Sequence, residues 1–352
     1  MDEYLDDETK EQLLDAFLKI KEDMKKWQAR QESKLWAPIQ VPINIHQALS
    51  RLTKDELTII RQNLDIKNIS SLNKADLIAK LKKYIPLMAE ELFLRFDRNR
   101  YQLANIIVKN GGWASTSRLE IKQVEHLRDY GLTFPGMLEN KQVLVMPVEI
   151  IREYQKLGQA SYKQIVDRNT EWVKLTQGLL YYYGTVDLSI LKKMTESYTN
   201  QSIEFLTYAD VIDDAMGYYR EITWSGDGYS NYRVFDSSQV IAEQYARPTI
   251  DYYPFTKKQL LTAGEPGYVE RNTSYITFVD FITENYEIIR EEADQLVEEC
   301  IYAIRIGDNH QNIIEFLQTQ LEILDMETVQ AFMDHITSLI NNTRQWFLKG
   351  YS

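Results

Sequence analysis

Carboxylates outnumber every other chemistry-bearing side chain in this sequence, so a metal or acid–base centre is the first possibility to weigh. Between residues 275 and 304, Glu284, Glu287, Glu291, Asp294 and Glu298 recur at helical spacings and fall along one face. A carboxylate-bridged metal pair in a helical bundle also needs Glu-x-x-His on facing helices. None of His46, His126, His310 and His335 has a glutamate three residues before it. Phe278, Ile282, Ile289, Ala293, Leu296 and Cys300 mark the other face, so these acids read as the solvated side of one amphipathic helix. A second cluster, Asp210, Asp213 and Asp214, lies in another helical segment with no evident neighbour to shift a pKa, and is also expected at the surface.

Nucleophilic and cofactor chemistry find no support in the sequence. It contains no Gly-x-Ser-x-Gly elbow, Walker loop, Gly-x-Gly-x-x-Gly fingerprint or His-Glu-x-x-His helix. The single cysteine, Cys300, excludes a disulfide within this chain and a cysteine-built zinc site, and it sits among helix formers as a small hydrophobe would. His310 and His335, with no cysteine near them in sequence, are expected as surface or partly buried side chains. The expectation is a binding protein, not an enzyme, with no metal and no cofactor.

Charge is the more informative signal. The 352 residues carry a net charge of −12, unevenly spread. Residues 51–130 hold 15 Lys+Arg against 10 Asp+Glu, whereas residues 201–352 hold 10 against 25. A polyanion would prefer the front and be repelled by the back. The candidate nucleic-acid contacts are therefore Lys67, Lys74, Lys80, Lys82 and Lys83, followed by Arg95, Arg98 and Arg100, then Arg118, Lys122, Gln123 and Arg128. Lys and Arg can neutralise phosphates, and a glutamine can read a base edge. The plain alternative is a mixed-charge solvated surface, since Glu120, Glu125 and Asp129 share the last helix.

The elements that would position these residues read as mostly helical, at a length that suits two to four domains of roughly 100 residues. A helix is predicted from about Glu8 to Gln31, then a linker at 35–44 containing two prolines. Thr53 and Glu56 form a capping box ahead of Leu57, Ile60 and Leu64, and Asn73 caps the next helix, which turns Leu77, Ile78 and Leu81 inward. Ile66, Ile69 and Leu72 anchor the loop between them. A helical stretch from Pro86 to Val108 follows, then a helix lined by Leu119, Val124 and Leu127, then a hairpin turning at Glu139 to Gln142.

That order recurs more fully downstream. "NTEWVKLTQGLLYYYG", "LSILKKMTESY" and "FLTYADVIDDAMGYY" read as three helices, with "REITW" and "YRVFD" as a hairpin joined by "SGDGYSN". Both stretches have the order of a winged helix. In the second, Asp210, Asp213 and Asp214 fall on the helix that would enter a DNA groove, so that unit is expected to contact protein. Of the three tyrosines at 181–183, Tyr183 is expected in the core and Tyr181 or Tyr182 at a domain contact. The stretch "ARPTIDYYPFTKKQLLTAGEPGY", residues 246–268, reads as an irregular connector, and the tail as an acidic helical bundle.

Four stretches resemble segments of two known families. "LTKDELTIIRQNLDIKNISSLNKADLIAKL" resembles the helix-extended-loop-helix modules at the N-terminus of transcription terminator Rho and in SAP-type domains, some of which touch nucleic acid. "NNTRQWFLKGYS", "NTEWVKLTQGLLYYYGT" and "LRDYGLTFPGM" are similar to segments of a bacterial group of helical and winged-helix proteins that carry a SEC-C zinc motif. This sequence has no cysteine after Cys300, so no zinc ligands carry over.

The expected architecture is mainly α and modular: an N-terminal helix and linker (1–44), a Rho-N/SAP-like module (45–85), two winged-helix-like units (86–160 and 161–247), and a connector with an acidic bundle (248–352). The expected function is an adaptor whose residues 45–130 contact DNA or RNA and whose residues 201–352 contact protein. The rival is a scaffold that binds protein alone. The acidic start "MDEYLDDETK" lacks the character of a signal peptide, and no run approaches the ~20 apolar residues of a membrane span, so a cytoplasmic protein without a membrane partner is expected.

Overall fold

A computed structural model describes residues 19–26, 29–30 and 32–352, and the protein is mainly helical with two small antiparallel sheets. The helix expected from residue 8 lies largely outside the described residues; 19–26 are helical. The described chain forms two compact units, one ending at Leu94 and resuming over Asn99–Tyr162, the other made of Arg95–Arg98 and Lys163–Ser352.

In the first unit the local capping signals set the helix starts. Asn44 and Gln47 form a capping box for α1 (Ile45–Ser50), and Thr53 and Glu56 form another for α2 (Lys54–Asn63). Asn73 accepts from the Asp76 backbone to start α3 (Lys74–Phe93). Leu64, Ile66 and Ile69 are buried and pin the loop between α2 and α3. Pro86 does not begin a new helix, as the sequence suggested, but lies inside α3. It removes one backbone hydrogen bond, and the completely buried Ile85 and Ala89 on either side hold the helix on course.

After α4 (Arg98–Lys109), Gly111 and Gly112 take positive φ and lead into β1 (Trp113–Ser115). Then come α5 (Ile121–Asp129), β2 (Phe134–Leu138), β3 (Lys141–Val145) and α6 (Val148–Lys156). Glu139 and Asn140, both at positive φ, make the two-residue turn between β2 and β3. The strand order is β1-β3-β2. The stretch expected as a linker is instead tied to this sheet: Ile39 donates to Met137 O (3.0 Å) and Met137 donates to Ala37 O (3.2 Å). Trp36, Ile39 and Ile43 are buried, and Arg51 donates to Ala37 O (2.9 Å). A Cβ at Gly136 would come within 2.6 Å of Ile39, so only glycine admits this close edge.

The second unit is organised around α7 (Gln159–Tyr183), which begins in the first. It continues through β4 (Thr185–Val186), α8 (Leu188–Thr199), α9 (Phe205–Tyr219), β5 (Ile222–Ser225) and β6 (Gly228–Asn231), with strand order β4-β6-β5. The last strand is "GYSN", four residues earlier than the expected "YRVFD". It lacks apolar alternation, but as the central strand it is buried between β4 and β5 and satisfies both edges. The expected irregular connector holds α10 (Ser237–Tyr245) before it and α11 (Lys257–Ala263) within it. Glycines at 178 and 264 let α11 approach α7 backbone to backbone; a Cβ at either would collide with the Leu260 or Lys174 carbonyl.

The acidic tail comprises α12 (Thr273–Asn285), α13 (Arg290–Ile306), α14 (His310–Gln320) and α15 (Met326–Asn342) around a core that includes Phe278, Ile282, Val297, Cys300, Leu317 and Phe332. The single helix expected from 275 to 304 is broken at 286–289, and Ile289 is 61% exposed instead of lying in the core. Ile282 and Ile289 are seven residues apart, a spacing that keeps the apolar stripe in phase across the break and so hides it.

All three tyrosines at 181–183 are buried, where only Tyr183 was expected to be. Each finds a partner for its hydroxyl, and the carbonyls that end α7 are capped by side chains. Arg305 Nη1 and Trp346 Nε1 both donate to Tyr181 O at 3.0 Å, and Gln244 Nε2 donates to Tyr183 O at 2.7 Å. The guanidinium of Arg305 also lies 3.9 Å from the centroid of the Tyr181 ring. The closing "NNTRQWFLKGYS" thus folds back as a structural plug, with Trp346 completely buried.

Candidate functional site

The twelve proposed nucleic-acid contacts differ widely in exposure and in the partners they hold. Arg100 is fully buried, leaving nothing for a phosphate to touch. Arg128 is drawn inward between α2 and α5, with Nη2 2.9 Å from Asp129 and Nη1 3.5 Å from Glu56, and its side chain is 11% exposed. Gln123 is spent on its own helix: its Oε1 accepts from Glu120 N at 3.1 Å and completes a capping box. These three assignments are corrected. Sequence spacing placed them on the surface because the contact of Arg128 with Glu56 on α2 is long-range, and because the side chain of Gln123 turns back to its own helix start.

Four more cations are neutralised in place. Lys67 lies 3.2 Å from Asp65 and Lys122 3.0 Å from Glu120. Arg95 lies 3.9 Å from Asp210 and Arg98 2.7 Å from Asp167, both within the second unit. The rest are exposed: Lys74, whose Nζ reaches Ser50 O at 3.3 Å, then Lys80, Lys82 and Lys83 on α3, and Arg118. Among the described residues none of these five takes part in an ion pair.

Two carboxylates share Arg128, and their environments pull them apart. Burial works to raise Glu56, but the backbone and hydroxyl of Thr53, helped by Arg128, outweigh it and hold the carboxyl below its usual range. Burial dominates at Asp129 and leaves its pKa raised despite the nearer guanidinium. One cation does not fully compensate two desolvated acids, and Glu56 has the better hydrogen bonds.

A different surface emerges on α9 of the second unit. Glu204 caps the helix through the backbone N–H groups of Leu206 and Thr207. Tyr208, Val211, Ile212 and Ala215 turn inward and are buried. Spacings of four and three then place Leu206, Asp210 and Asp213 together on the outer face. Leu206 is 68% exposed and Asp210 keeps 56% of its side-chain exposure. The hairpin joins this face, because Tyr229 Oη donates to Asp213 at 2.6 Å and its register partner across the sheet is Trp224, 64% exposed.

Asp213 is consequently not a simple solvated acid: burial raises its pKa, partly offset by the Tyr229 hydrogen bond. Asp214, expected at the surface, is buried. The sequence reading passed over Leu206 and Trp224, although the helical period of α9 separates 206, 210 and 213 from the apolar set and would have found the first of them.

Among the described residues no group of three or more His, Cys, Asp or Glu is arranged to hold a metal ion. Cys300 lies in the bundle core, and burial pushes its thiol up to about 12. His335 lies nearly parallel to Phe278 at 5.3 Å, and desolvation lowers its pKa. No described helix is long and apolar enough to cross a membrane. Comparisons with protein-family models, curated proteins and solved structures return no match.

Proposed function

We propose that this chain is a protein-binding scaffold that engages a polypeptide through the outer face of α9 and the adjoining β5–β6 hairpin. The observation that carries this reading is the juxtaposition of Asp210 and Asp213 with the exposed Leu206 and Trp224. Three helices ahead of a hairpin, with the sheet order β4-β6-β5, support a winged-helix reading of residues 163–231. In a DNA-reading member α9 would lie between two rows of phosphates, where paired carboxylates are repelled. Exposed aromatic and aliphatic groups rimmed by charge suit a protein partner.

The role is binding, with no catalytic step. Nuclease-treated extract passed over the full chain, and over its Leu206→Ser/Trp224→Ser variant, tests the reading. A protein retained after nuclease treatment and lost with the double variant is the expected result; partners that vanish with the nucleic acid contradict it.

A second reading rests on Lys80, Lys82 and Lys83, exposed and outside any described ion pair, which would contact nucleic acid in line with the resemblance of α2 and α3 to Rho-N and SAP modules. It requires retention on DNA or RNA that falls steeply with salt and with charge reversal at these three positions.

A further inference from the structure

A groove of about 240 Å³ opens in the second unit between α10 and the end of α13. Its apolar lining includes Val234, Phe235, Val240, Ile306 and Phe347. Phe235 is 98% exposed and Ile306 42% exposed, so this apolar surface is presented to solvent. Asp236, Glu243 and Asp308 also line it, Asp236 with one carboxylate oxygen accepting from Gln239 N as the N-cap of α10, and α13 ends there at Gly307, adding the negative end of a helix dipole. Arg247 neutralises Glu243. The guanidinium of Arg305 is engaged elsewhere, on Tyr181. The groove therefore favours a cationic occupant with a large apolar anchor.

The first unit carries such an element. Lys80, Lys83, Tyr84 and Leu87 lie on one face of α3 at spacings of three, one and three. Leu87 is 71% exposed and Tyr84 37%. Lys80 and Lys83 take part in no ion pair among the described residues. Tyr84 and Leu87 are a two-residue anchor of the kind an amphipathic helix lays into a groove, and the lysines lie about one turn N-terminal, roughly 5 Å along the axis.

We propose that copies of this chain associate head to tail, the exposed face of α3 of one copy seating in the α10–α13 groove of the next. Tyr84 and Leu87 meet Phe235 and Ile306, and Lys80 and Lys83 meet Asp236 and Asp308. The contact is heterologous, so each copy offers one α3 face and one groove, and association continues beyond a pair unless the geometry closes a ring. One helix in a groove buries an area at or below about 1,200 Å², the low end for specific complexes, which makes the association weak and salt-sensitive.

Sedimentation velocity of the full chain over a concentration series tests this. The expected result is reversible self-association that weakens as salt rises. Leu87→Glu and Phe235→Asp, both at exposed positions, each abolish it while leaving the thermal melt unchanged. Mixing the two variants restores a single step to dimer and no further, because one supplies an intact groove and the other an intact α3 face. A wild-type chain that stays monomeric throughout overturns the proposal, as does a mixture of the two folded variants that fails to associate. Monomeric chains that bind RNA through Lys80 and Lys83 overturn it in favour of a polyanion partner.

Discussion

Helices α5 and α9 occupy the same place in their units, each directly ahead of a hairpin whose second strand is central in a three-stranded sheet. They use that place in opposite ways. Charge on α5 is turned inward or consumed: Arg128 bridges to α2, Lys122 pairs with Glu120, and Gln123 caps the helix. On α9 the apolar side fills the core, while Leu206 is exposed, Asp210 stays half-exposed opposite Arg95, and Asp213 accepts from Tyr229, the register partner of the exposed Trp224. The same order of elements therefore yields a structural joint in one unit and a presented surface in the other. Net charge by segment does not distinguish them; the exposure that each charge keeps does, 11% at Arg128 against 56% at Asp210.

This contrast makes ranked predictions. The stability of the second unit should rest on the plug at the end of α7, and Trp346→Ala, which empties a fully buried site and strips a donor from Tyr181 O, should cost about 3–5 kcal/mol in denaturant unfolding. In the first unit Arg128→Ala should cost about 3 kcal/mol, because it leaves Glu56 and Asp129 facing each other without their cation. A loss below about 0.5 kcal/mol there would return Arg128 to the pool of surface cations.

The acid side of the stability profile should separate the two helices further. Glu56 has a lowered folded pKa, so it stabilises the fold above its unfolded pKa, and that contribution is lost as pH falls through the folded value. Glu56→Gln should flatten this part of the profile. Asp213 has a raised folded pKa, so its ionisation works against the fold as pH rises through that value, and Asp213→Asn should be neutral or stabilising by up to about 1 kcal/mol. The smallest effect is expected on α9 itself. Leu206→Ser and Trp224→Ser should change stability by no more than about 0.5 kcal/mol each, as presentation to a partner requires.

Much of the local structure was legible in the sequence, because its causes are local. Thr53 with Glu56, Asn73 and the Glu139–Asn140 turn each act through bonds within a few residues; the two caps were placed, and the turn was read two residues too long, through Gln142, which lies in β3. Longer-range facts were not legible. Arg128 and Glu56 are 72 positions apart, and nothing in the period of α5 says that its arginine is met by an acid on α2. The strand "GYSN" has no alternation of its own and exists because two neighbours pair with it. The edge formed by 37–39 read as a linker because its prolines prohibit a helix, yet an outer edge is the part of a sheet that tolerates proline.

The central claim is that the second unit meets protein, not nucleic acid, and that the five exposed front cations outside any described ion pair do not reverse this for the chain as a whole. An anisotropy titration of the full chain against labelled single- and double-stranded DNA and RNA at low ionic strength tests it most directly. The account predicts no saturable binding. Tight, salt-sensitive binding that disappears when Lys80, Lys82 and Lys83 are reversed to glutamate would contradict it.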